Sequence, residues 1–485
     1  MPKRTIPRRT KIVATLGPAT DQPGVLEDLF DAGVDVVRLN FSHGDAETHK
    51  KRADAVRELT RKTARYVGIL VDLQGPKIRV ASFKKGKVDL KDGTEFTLDT
   101  KLDASAGDET QVGCCYESLP TDVKAGNTLM LDDGRVVLKV KSVEGTRIIC
   151  EVVVGGELSN NKGINLQGGG LSAPALTDKD LEDIKSAAEI DADYLAVSFP
   201  RTAEDINTAR KLMQEAGGSA GIVAKIERAE ALDVIEEIIE ASDVIMVARG
   251  DLGVEIGDAA LPPAQKNMIK LARSMNTTVI TATQMMESMI YNPLPTRAEV
   301  FDVANAVVDG TDAVMLSAET AAGKYPAKAV AAMDRVCATT EQEPSVRDFD
   351  RRNNARQFSR VDEAIAVSAM YIANHSKVHA IAALTESGST PLWMSRIGSG
   401  IPIIAMTSHE KTCRKVTLFR GVYPKMFYLE THDHAAINKA AIDELVTCNI
   451  VKKGDQVIIT KGDLTGVKGG TNAMKIVNVG EGLVA

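Results

Sequence analysis

Eight short apolar runs lie between Ile12 and Leu316, and a helical pattern follows each of them. Such continuous runs, rich in β-branched residues, are typical of parallel strands that are buried on both faces. Eight strand-helix units predict an α/β fold, a closed (β/α)8 TIM barrel rather than an open sheet. The predicted strands are Ile12–Leu16, Val34–Leu39, Val67–Leu73, Tyr194–Phe199, Ile222–Ala224, Val244–Ala248, Thr278–Ala282 and Ala313–Leu316.

The third and fourth runs are separated by a long segment with a different pattern. Its apolar residues alternate or are β-branched, and the dipeptides Asp92-Gly93, Asp133-Gly134 and Glu144-Gly145 predict hairpin turns. We therefore expect an antiparallel β-barrel domain at residues 76–170, inserted into a barrel domain of residues 1–75 and 171–342. Because the insert leaves from the carboxyl end of a strand, it is predicted to form a lid, with hinges at Gly75-Pro76 and Gly168–Gly170. The predicted strands of the insert are Lys87–Leu90, Glu95–Leu98, Val136–Val140 and Ile148–Val154.

A further α/β domain is predicted at residues 343–485, where strand and helix patterns alternate anew. Its predicted helices are Asp362–His375, Glu410–Phe419 and Ala435–Cys448, and its predicted strands are His379–Leu384, Ile401–Met406, Gln456–Thr460 and Lys475–Val479. Three domains agree with the length of 485 residues, which is too long for one ordinary core.

Composition excludes several classes of function. The net charge of -7 and the 4% aromatic content argue against a nucleic-acid partner. The basic segment at residues 2–11 is followed by too few apolar residues for a signal peptide, and no run is long enough to span a membrane. The six cysteines lack metal-ligand spacing and predict reduced thiols. We expect a cytoplasmic protein without a membrane partner.

Charged residues follow two neighbouring strands on either side of a predicted helix at Arg228–Ala241. Lys225 and Glu227 end one strand, and Asp251 follows the next. Ligands bind at the carboxyl ends of strands in parallel α/β folds. Two carboxylates and an ammonium group suit Mg2+ and a phosphate, although ion pairs that only cap the strand ends would give the same pattern.

Other strand ends carry polar residues as well. Arg38 offers a fork for a phosphate or carboxylate, and Asn40, Ser42 and Asp72 offer oxygen ligands for a cation. Thr283-Gln284 and Ser317–Thr320 follow the seventh and eighth strands. Singly, each could be a loop or cap residue.

Nucleotide-binding motifs of the P-loop and protein-kinase types are absent, as is HExxH. Lys77 and Arg79 at the entry of the insert, and Lys162 near its exit, are therefore the candidates for holding a nucleotide. Solvated surface side chains remain the alternative for all three.

Several long motifs resemble the pyruvate kinase family, in family order and essentially from end to end. They are Lys11–Pro18, Arg38–Gly44, Lys225–Glu227, Ala248–Gly253, Ala282–Met289 and Pro295–Glu299. The resemblance implies transfer of the phosphoryl group of phosphoenolpyruvate to ADP, which gives ATP and pyruvate through an enolate in the last step of glycolysis. It also implies Mg2+, with Mn2+ as a substitute, and a homotetramer.

The family's roles can be transferred to matching positions. The resemblance implies that Glu227 and Asp251 hold Mg2+, and that Lys225 stabilises charge on the phosphoryl group and the enolate oxygen. It implies that Arg38 binds the phosphate. The substrate carboxylate would bind the backbone at Gly250 and Asp251, with Thr283, which also resembles part of the proton path to the enolate. The residues implied for the nucleotide are Asn40, Ser42, His43, Arg79 and Lys162.

One position departs from the potassium-requiring members, most of which have glutamate after the Gly-Pro of the third strand loop. Here Lys77 follows Gly75-Pro76. Its ammonium could replace K+, which predicts a potassium-independent, bacterial-type member of the family. The matching cation positions are nevertheless retained at Asn40, Ser42, Asp72 and the Leu73 carbonyl. Alternatively, Lys77 only pairs with a nearby carboxylate.

The last domain resembles the family's regulatory domain, whose effectors are sugar phosphates or AMP. The loop that would bind the effector phosphate contains Thr385, Ser387, Ser389 and Thr390. A simple helix cap is the alternative for this loop. A second candidate for phosphate is the arginine-rich run Arg347, Arg351, Arg352, Arg356 and Arg360, which could equally be a solvated helix face or a subunit contact.

Two other functions remain as alternatives. A Mg2+-dependent lyase that acts next to pyruvate enolate would share the metal carboxylates but would not need Arg79 and Lys162. A non-catalytic sugar-phosphate sensor would have lost some of the residues Lys225, Glu227, Asp251 and Thr283, and all four are present.

Overall fold

The computed structural model describes residues 8–343, 346, 358, 360–428, 433–463 and 469–481. Eight strands form a closed barrel in which each strand neighbours the next in sequence and the last returns to the first. This confirms the predicted TIM barrel. The barrel strands, first to eighth, are Lys11–Leu16, Val36–Asn40, Gly68–Asp72, Tyr194–Val197, Gly221–Ile226, Val244–Ala248, Thr278–Ala282 and Ala313–Leu316.

Helices follow the barrel strands and bury one apolar face. Helix Ala46–Thr63 is typical, since Asp45 caps its start by accepting from the Thr48 N–H at 2.8 Å, and its buried residues recur at helical spacing. The helices of this part of the chain are Val25–Ala32, Ala46–Thr63, Asp178–Glu189, Ala203–Glu215, Ile235–Ala241, Arg249–Ile256, Leu261–Ser274, Arg297–Asp309, Ala318–Ala321 and Pro326–Thr340, with 3-10 turns at Glu230–Leu232 and Glu287–Ile290.

The insert contains a six-stranded and a two-stranded sheet. The hairpins predicted at Asp133-Gly134 and Glu144-Gly145 are confirmed. The hairpin predicted at Asp92-Gly93 is wrong, because the strands on either side of it belong to different sheets. Asp92 instead accepts from the Gly155 N–H at 2.6 Å. The strands are Lys87–Leu90, Glu95–Asp99, Gln111–Gly113, Thr128–Leu131, Val136–Glu144, Arg147–Val154, Gly156–Ser159 and Ile164–Leu166, with a short helix at Leu119–Asp122.

The C-terminal part has one five-stranded sheet, in the order Val422–Met426, Ile403–Thr407, Val378–Leu384, Gln456–Gly462 and Thr471–Asn478. The edge strand Val422–Met426 was not predicted. It contains Pro424, which an edge strand tolerates because its missing N–H needs no partner there. The helices are Val361–His375, Ser389–Ser395, Glu410–Lys415 and His434–Thr447, with a 3-10 turn at Val416–Leu418.

Two compact units can be distinguished among the described residues. One comprises Met1–Val71, Glu189–Tyr194 and Ile269–Ala485, and the other Asp72–Ala188 and Leu195–Met268. None of the described helices is long and apolar enough to cross a membrane.

An aspartate directly precedes every second barrel strand and joins it to the strand before. Asp35 shows the pattern: its carboxylate accepts from the Ile12 N–H at 2.9 Å, and its own N–H donates to the Ile12 carbonyl at 3.0 Å. The same reciprocal pair of bonds joins Asp193 to Ile69, Asp243 to Ile222 and Asp312 to Val279.

Arginines neutralise these four carboxylates. Asp35 pairs with Arg8, Asp193 with Arg57 and Arg414, Asp243 with Arg210, and Asp312 with Arg396. Each aspartate therefore uses its oxygens for a backbone N–H and a guanidinium at once, which makes a buried or half-buried carboxylate tolerable.

Candidate active site

Lys225 lies at the carboxyl end of the fifth barrel strand, among acidic side chains. Its Nζ is 3.0 Å from Glu227 Oε1 and 3.2 Å from Asp72 Oδ1, and it donates to Ser198 Oγ at 2.6 Å. Asp72 is the last residue of the third strand, and Ser198 follows the fourth. Three neighbouring strand ends therefore converge on one lysine, whose side chain is only 12% exposed.

Glu227 is a buried carboxylate in this cluster. Its second oxygen accepts from the Phe199 N–H at 2.9 Å, and Phe199 has a φ of +55°, a strained value for a bulky residue. Burial raises the pKa of Glu227 above its usual range; Lys225 opposes the rise, whereas Asp251 and Asp72 add to it. Asp251, the other predicted metal ligand, therefore acts electrostatically on Glu227.

Lys77 pairs with Asp251, at 3.0 Å between Nζ and Oδ1. The turn that carries Lys77 depends on Gly75, which has a φ of +66° and whose Cβ, if present, would lie 2.6 Å from Ser198 Cβ. Lys77 therefore contacts a carboxylate, as the alternative reading of the sequence proposed, and that carboxylate is a predicted Mg2+ ligand.

The donor set suits a magnesium ion. With all groups ionised, three carboxylates (Asp72, Glu227, Asp251) and two ammonium groups (Lys77, Lys225) leave a net charge of -1. Among the residues that the structure describes, no group of three or more His, Cys, Asp or Glu side chains could hold a metal on its own. Mg2+ takes one or two carboxylates and completes its shell with water and substrate oxygens, so Glu227 and Asp251 would suffice as its protein ligands.

Gly250 and Asp251 lie in the first turn of helix Arg249–Ile256, which begins directly after the sixth strand. The backbone N–H groups of a first turn have no partner within the helix and lie at the positive end of its dipole. Both features favour the binding of an anion. This geometry suits the predicted binding of a substrate carboxylate.

Arg38 and Thr283 lie in the other compact unit. Arg38 is 9% exposed, and its Nη1 donates to Thr15 Oγ1 at 3.1 Å. Thr283 follows the seventh strand with a φ of +66°, and the next residue, Gln284, has a φ of +54°. Two successive left-handed residues, the first of them β-branched, are energetically unfavourable, which makes this turn a candidate functional position.

Asn40, Ser42 and His43 form a turn after the second strand. The Asn40 side chain accepts from the Ser42 N–H at 3.2 Å, and the Asn40 carbonyl accepts from the His43 N–H at 3.2 Å. The fourth candidate cation ligand, the Leu73 carbonyl, accepts from Ser198 Oγ at 2.8 Å.

Arg79 and Lys162 are brought together in the insert. Arg79 forms an antiparallel bridge with Gly163 and donates from Nη1 to the Asn161 carbonyl at 2.9 Å. The Lys162 ammonium pairs with Asp132 Oδ1 at 2.8 Å. The two basic residues predicted to bind nucleotide therefore lie on adjacent backbone segments joined by an isolated β-bridge.

The predicted effector loop starts helix Ser389–Ser395, which has Gly388 at its N-cap and no side-chain cap. Thr385 Oγ1 accepts from the Gly388 N–H at 3.0 Å, the Ser387 and Ser389 hydroxyls are 2.9 Å apart, and Thr390 bonds to Thr471. Of the arginine-rich run, Arg360 pairs with Asp362, whereas Arg347, Arg351, Arg352 and Arg356 lie outside the described residues.

The sequence analysis missed Ser198 and Glu255. Ser198 was missed because the fourth strand was predicted to continue to Phe199, so that Ser198 fell inside the strand; the strand in fact ends at Val197. Glu255 accepts from the Ala229 N–H at 2.8 Å, and burial raises its pKa to about 7. No sequence signal distinguishes it from the other glutamates of nearby helices.

A closed parallel barrel with lysines and magnesium-type carboxylates at its strand ends has the arrangement expected of a metal-dependent barrel enzyme. The family model "Pyruvate kinase, barrel domain" matches residues 7–330, and "Pyruvate kinase, alpha/beta domain" matches residues 363–477. The chain belongs to the pyruvate kinase family.

Full-length relatives support this assignment. "Pyruvate kinase II" of Salmonella typhimurium is 58% identical over 97% of this chain and 99% of its own length. "Pyruvate kinase" of Haemophilus influenzae is 54% identical over 94% of this chain and 96% of its own length. The crystal structure of a pyruvate kinase from Cryptosporidium parvum matches with a TM-score of 0.89 at 35% identity, over 97% of this chain and 96% of that one. The comparisons favour a kinase over the lyase and sensor alternatives.

Proposed function

We propose that the cluster around Lys225 is the site of phosphoryl transfer from phosphoenolpyruvate to ADP. The observation that carries this proposal is the position of the Lys225 ammonium, held by Glu227, Asp72 and Ser198 at three strand ends. A fixed, largely buried cation stabilises negative charge that develops in the transition state without reorganising. When phosphoryl leaves, charge develops on the enolate oxygen, and Lys225 balances it.

Glu227 and Asp251 are the residues that would hold Mg2+. The ion, when bound, neutralises charge on the phosphoryl oxygens and the enolate. Gly250 and Asp251 bind the substrate carboxylate through the backbone of their helix turn. Arg38 binds the phosphate, and Thr283 binds the carboxylate and belongs to the proton path to the enolate. The nucleotide is bound by Asn40, Ser42, His43, Arg79 and Lys162.

The first test is pyruvate formation from phosphoenolpyruvate, ADP and Mg2+. We expect Lys225→Met to lower kcat by about a hundredfold or more, as removal of a preorganised electrostatic group does. The matched control is Lys211→Met, an exposed lysine of the same compact unit whose side chain is 75% exposed. Full activity of Lys225→Met, with the control also active, would contradict the proposed role.

We also propose that the enzyme does not require K+, because the Lys77 ammonium lies 3.0 Å from Asp251 and supplies a fixed positive charge. In potassium-free and sodium-free buffer, the wild-type rate should change little when K+ is added. Lys77→Glu should become dependent on K+, whereas Lys84→Glu, an exposed lysine of the insert, should not. A large stimulation of the wild-type protein by K+ would contradict this proposal.

The remaining proposals follow from the family. The chain comprises a barrel domain of residues 1–75 and 171–342, a lid domain of residues 76–170, and a regulatory domain of residues 343–485. A sugar phosphate or AMP binds the regulatory domain at Thr385, Ser387, Ser389 and Thr390. The protein is a cytoplasmic homotetramer. Titration of kinase activity with sugar phosphates and AMP, on wild-type protein and on Ser389→Ala, tests the effector site. If the effector activates Ser389→Ala as strongly as wild type, the proposed binding of the effector to this loop is contradicted.

A further inference from the structure

A small cavity lies within the compact unit that contains the C-terminal sheet. Its volume is about 90 Å3, and none of the residues proposed for substrate, metal, nucleotide or effector lines it. Three arginines line it, the buried Arg9 and the half-buried Arg273 and Arg420, whereas none of the described lining residues is acidic. Cations are normally buried with a partner of opposite charge, so this cavity is a candidate site for an anion.

The three arginines come from separate parts of the chain. Arg9 precedes the first barrel strand, Arg273 lies in the last turn of its helix, and Arg420 lies just before the edge strand of the C-terminal sheet. Gly310, which has a φ of +92°, leaves room for one of them, because a Cβ at this position would overlap Arg273 Nη1. The fold therefore brings three guanidinium groups to one place that no single segment defines.

Arg420 has donors that the protein does not use. Its Nη1 donates to the Val307 and Thr311 carbonyls at 3.2 and 3.1 Å, at the end of a helix. Its backbone N–H donates to Asp312, but that carboxylate pairs with Arg396. Among the residues that the structure describes, no carboxylate pairs with the Arg420 guanidinium, and its Nε and Nη2 have no hydrogen-bond partner. These N–H groups remain for a ligand.

The other two guanidinium groups are fixed by backbone carbonyls. Arg9 donates to the carbonyls of Ser399 and Glu341, and its Nε lies 3.7 Å from Glu341 Oε2. Arg273 Nη2 donates to the Arg396 carbonyl at 3.1 Å. Such bonds hold the forks in place before a ligand arrives, as a preorganised site requires. Ser399 also lines the cavity, and its hydroxyl can donate to an anion.

We propose that this cavity binds a phosphate dianion, either free or as the terminal group of a small phosphate ester. Guanidinium forks match phosphate oxygens in both geometry and charge. The volume limits the ligand further. One water needs about 10–15 Å3 and a drug-sized ligand about 300–1,000 Å3, so the cavity admits a phosphate group but not a whole nucleotide. This inference does not rest on the proposed kinase function.

The first experiment counts bound phosphate. Native protein is dialysed against labelled inorganic phosphate at constant ionic strength, without Mg2+ or nucleotide. Because phosphate could also bind at the two phosphate sites proposed above, Lys225→Met and Ser389→Ala are measured beside wild type. We expect both variants to keep a bound phosphate that Arg420→Gln loses. Equal amounts of bound phosphate in wild type and Arg420→Gln, or none in wild type at millimolar phosphate, would overturn the proposal.

Two further variants separate binding from folding, because Arg420→Gln also loses its bonds to two carbonyls. Arg420→Lys keeps the charge but not the fork, and should bind phosphate about tenfold more weakly, the effect of losing one charged hydrogen bond. The matched control is Arg335→Gln, an exposed arginine of the same compact unit, which should bind as wild type does. Unchanged affinity in Arg420→Lys would contradict binding through the fork.

Hydrogen exchange locates the ion without any substitution. In wild-type protein, phosphate should slow amide exchange in the peptides that contain Gly310 and Ser399, relative to chloride at the same ionic strength. Protection confined to the peptides of Lys225 or Ser389 would place the ion elsewhere and overturn the proposal.

The same readout identifies the source of the phosphate group. Glucose 6-phosphate and inorganic phosphate are compared on Ser389→Ala, in which the predicted effector loop is altered. Protection of the Gly310 and Ser399 peptides by both compounds would show that the cavity accepts the phosphate group of an ester, and protection by inorganic phosphate alone would identify the free ion. Protection by neither would contradict the proposed site.

Discussion

The two ends of the barrel strands hold buried charge in opposite ways. At the amino ends, Asp35, Asp193, Asp243 and Asp312 each pair with arginine and clamp the neighbouring strand. At the carboxyl ends, Asp72, Glu227 and Asp251 share the ammonium groups of Lys77 and Lys225. Aspartate is matched to guanidinium at one end, whereas carboxylates outnumber cations at the other.

The pKa values show what this difference means. Burial opposes ionisation of Asp35, but Arg8 and other cations outweigh it and hold its pKa below the usual range. Burial raises the pKa of Glu227, and Lys225 does not compensate. Asp35 therefore adds stability that is lost as pH falls through its folded pKa, whereas Glu227 favours the fold while protonated and loses that contribution as pH rises. The charge of Asp35 at the amino end stabilises the fold, whereas a buried carboxylate with a raised pKa at the carboxyl end is a candidate for chemistry.

The largest expected effect is on stability, at the amino end. Arg396 Nη1 donates to Asp312 Oδ2 at 2.8 Å, and the side chain of Asp312 is 1% exposed. Arg396→Met leaves this carboxylate buried without its guanidinium, so the free energy of unfolding should fall by about 3–5 kcal/mol. Chemical denaturation measures this, and the kcat of the folded enzyme should persist. The exposed Arg335 provides the control Arg335→Met, expected to change stability by less than about 0.5 kcal/mol.

The opposite pattern is expected for Glu227→Gln. This variant should lose about a hundredfold in kcat, or about 2.7 kcal/mol of transition-state stabilisation. Its free energy of unfolding should not fall, because glutamine can still accept from the Phe199 N–H and avoids burying a charge. Steady-state kinetics and denaturation of the same preparation provide both readouts. A loss of stability without a loss of kcat would mean that this carboxylate has the structural role of the amino-end aspartates.

The smallest expected effect concerns Glu255, which lies in the helix after the sixth strand and faces Arg228 and Glu230. Burial raises the pKa of Glu255 to about 7, so its protonated form favours the fold and stability is lost as pH rises from 4.5 through 7. Glu255→Gln should remove this loss, and its advantage over wild type should grow by about 2 kcal/mol between pH 5 and pH 8. Denaturation curves at both pH values test this, and a constant difference would contradict it.

Much of the fold could be predicted because buried parallel strands have a strong sequence signature. The sixth, seventh and eighth strands were predicted with the observed limits. The helix predicted at Arg228–Ala241 is instead a 3-10 turn followed by a helix that begins at Ile235. At the start of this segment the Ala229 N–H donates to Glu255, a tertiary bond that helical periodicity does not encode.

Part of the site could be predicted as well, because the predicted strands fix where the strand ends lie. Charged residues directly after a strand are visible in sequence, which is how Lys225, Glu227 and Asp251 were identified. Their contacts were not visible: Ser198 was missed, and Asp72, although predicted as a cation ligand, approaches Lys225 only because the ends of the third, fourth and fifth strands lie side by side in the barrel. The aspartates at the amino ends were also missed, although each directly precedes an apolar run, because a single aspartate before a strand is equally common in ordinary loops.

The four aspartates that form reciprocal hydrogen bonds with the preceding strand also differ in the length of the chain segment that these bonds close into a loop. Asp35, Asp243 and Asp312 reach back 23, 21 and 33 residues to the preceding strand, whereas Asp193 reaches back 124 residues across the insert. The entropic cost of closing a loop grows with the logarithm of its length. Closing the loop that ends at Asp193 therefore costs about 1.5 kcal/mol more than closing the loop that ends at Asp35. Asp193 also forms ion pairs with two arginines, Arg57 and Arg414. The place where the insert enters the barrel thus combines the costliest loop closure with a carboxylate that forms ion pairs with two arginines.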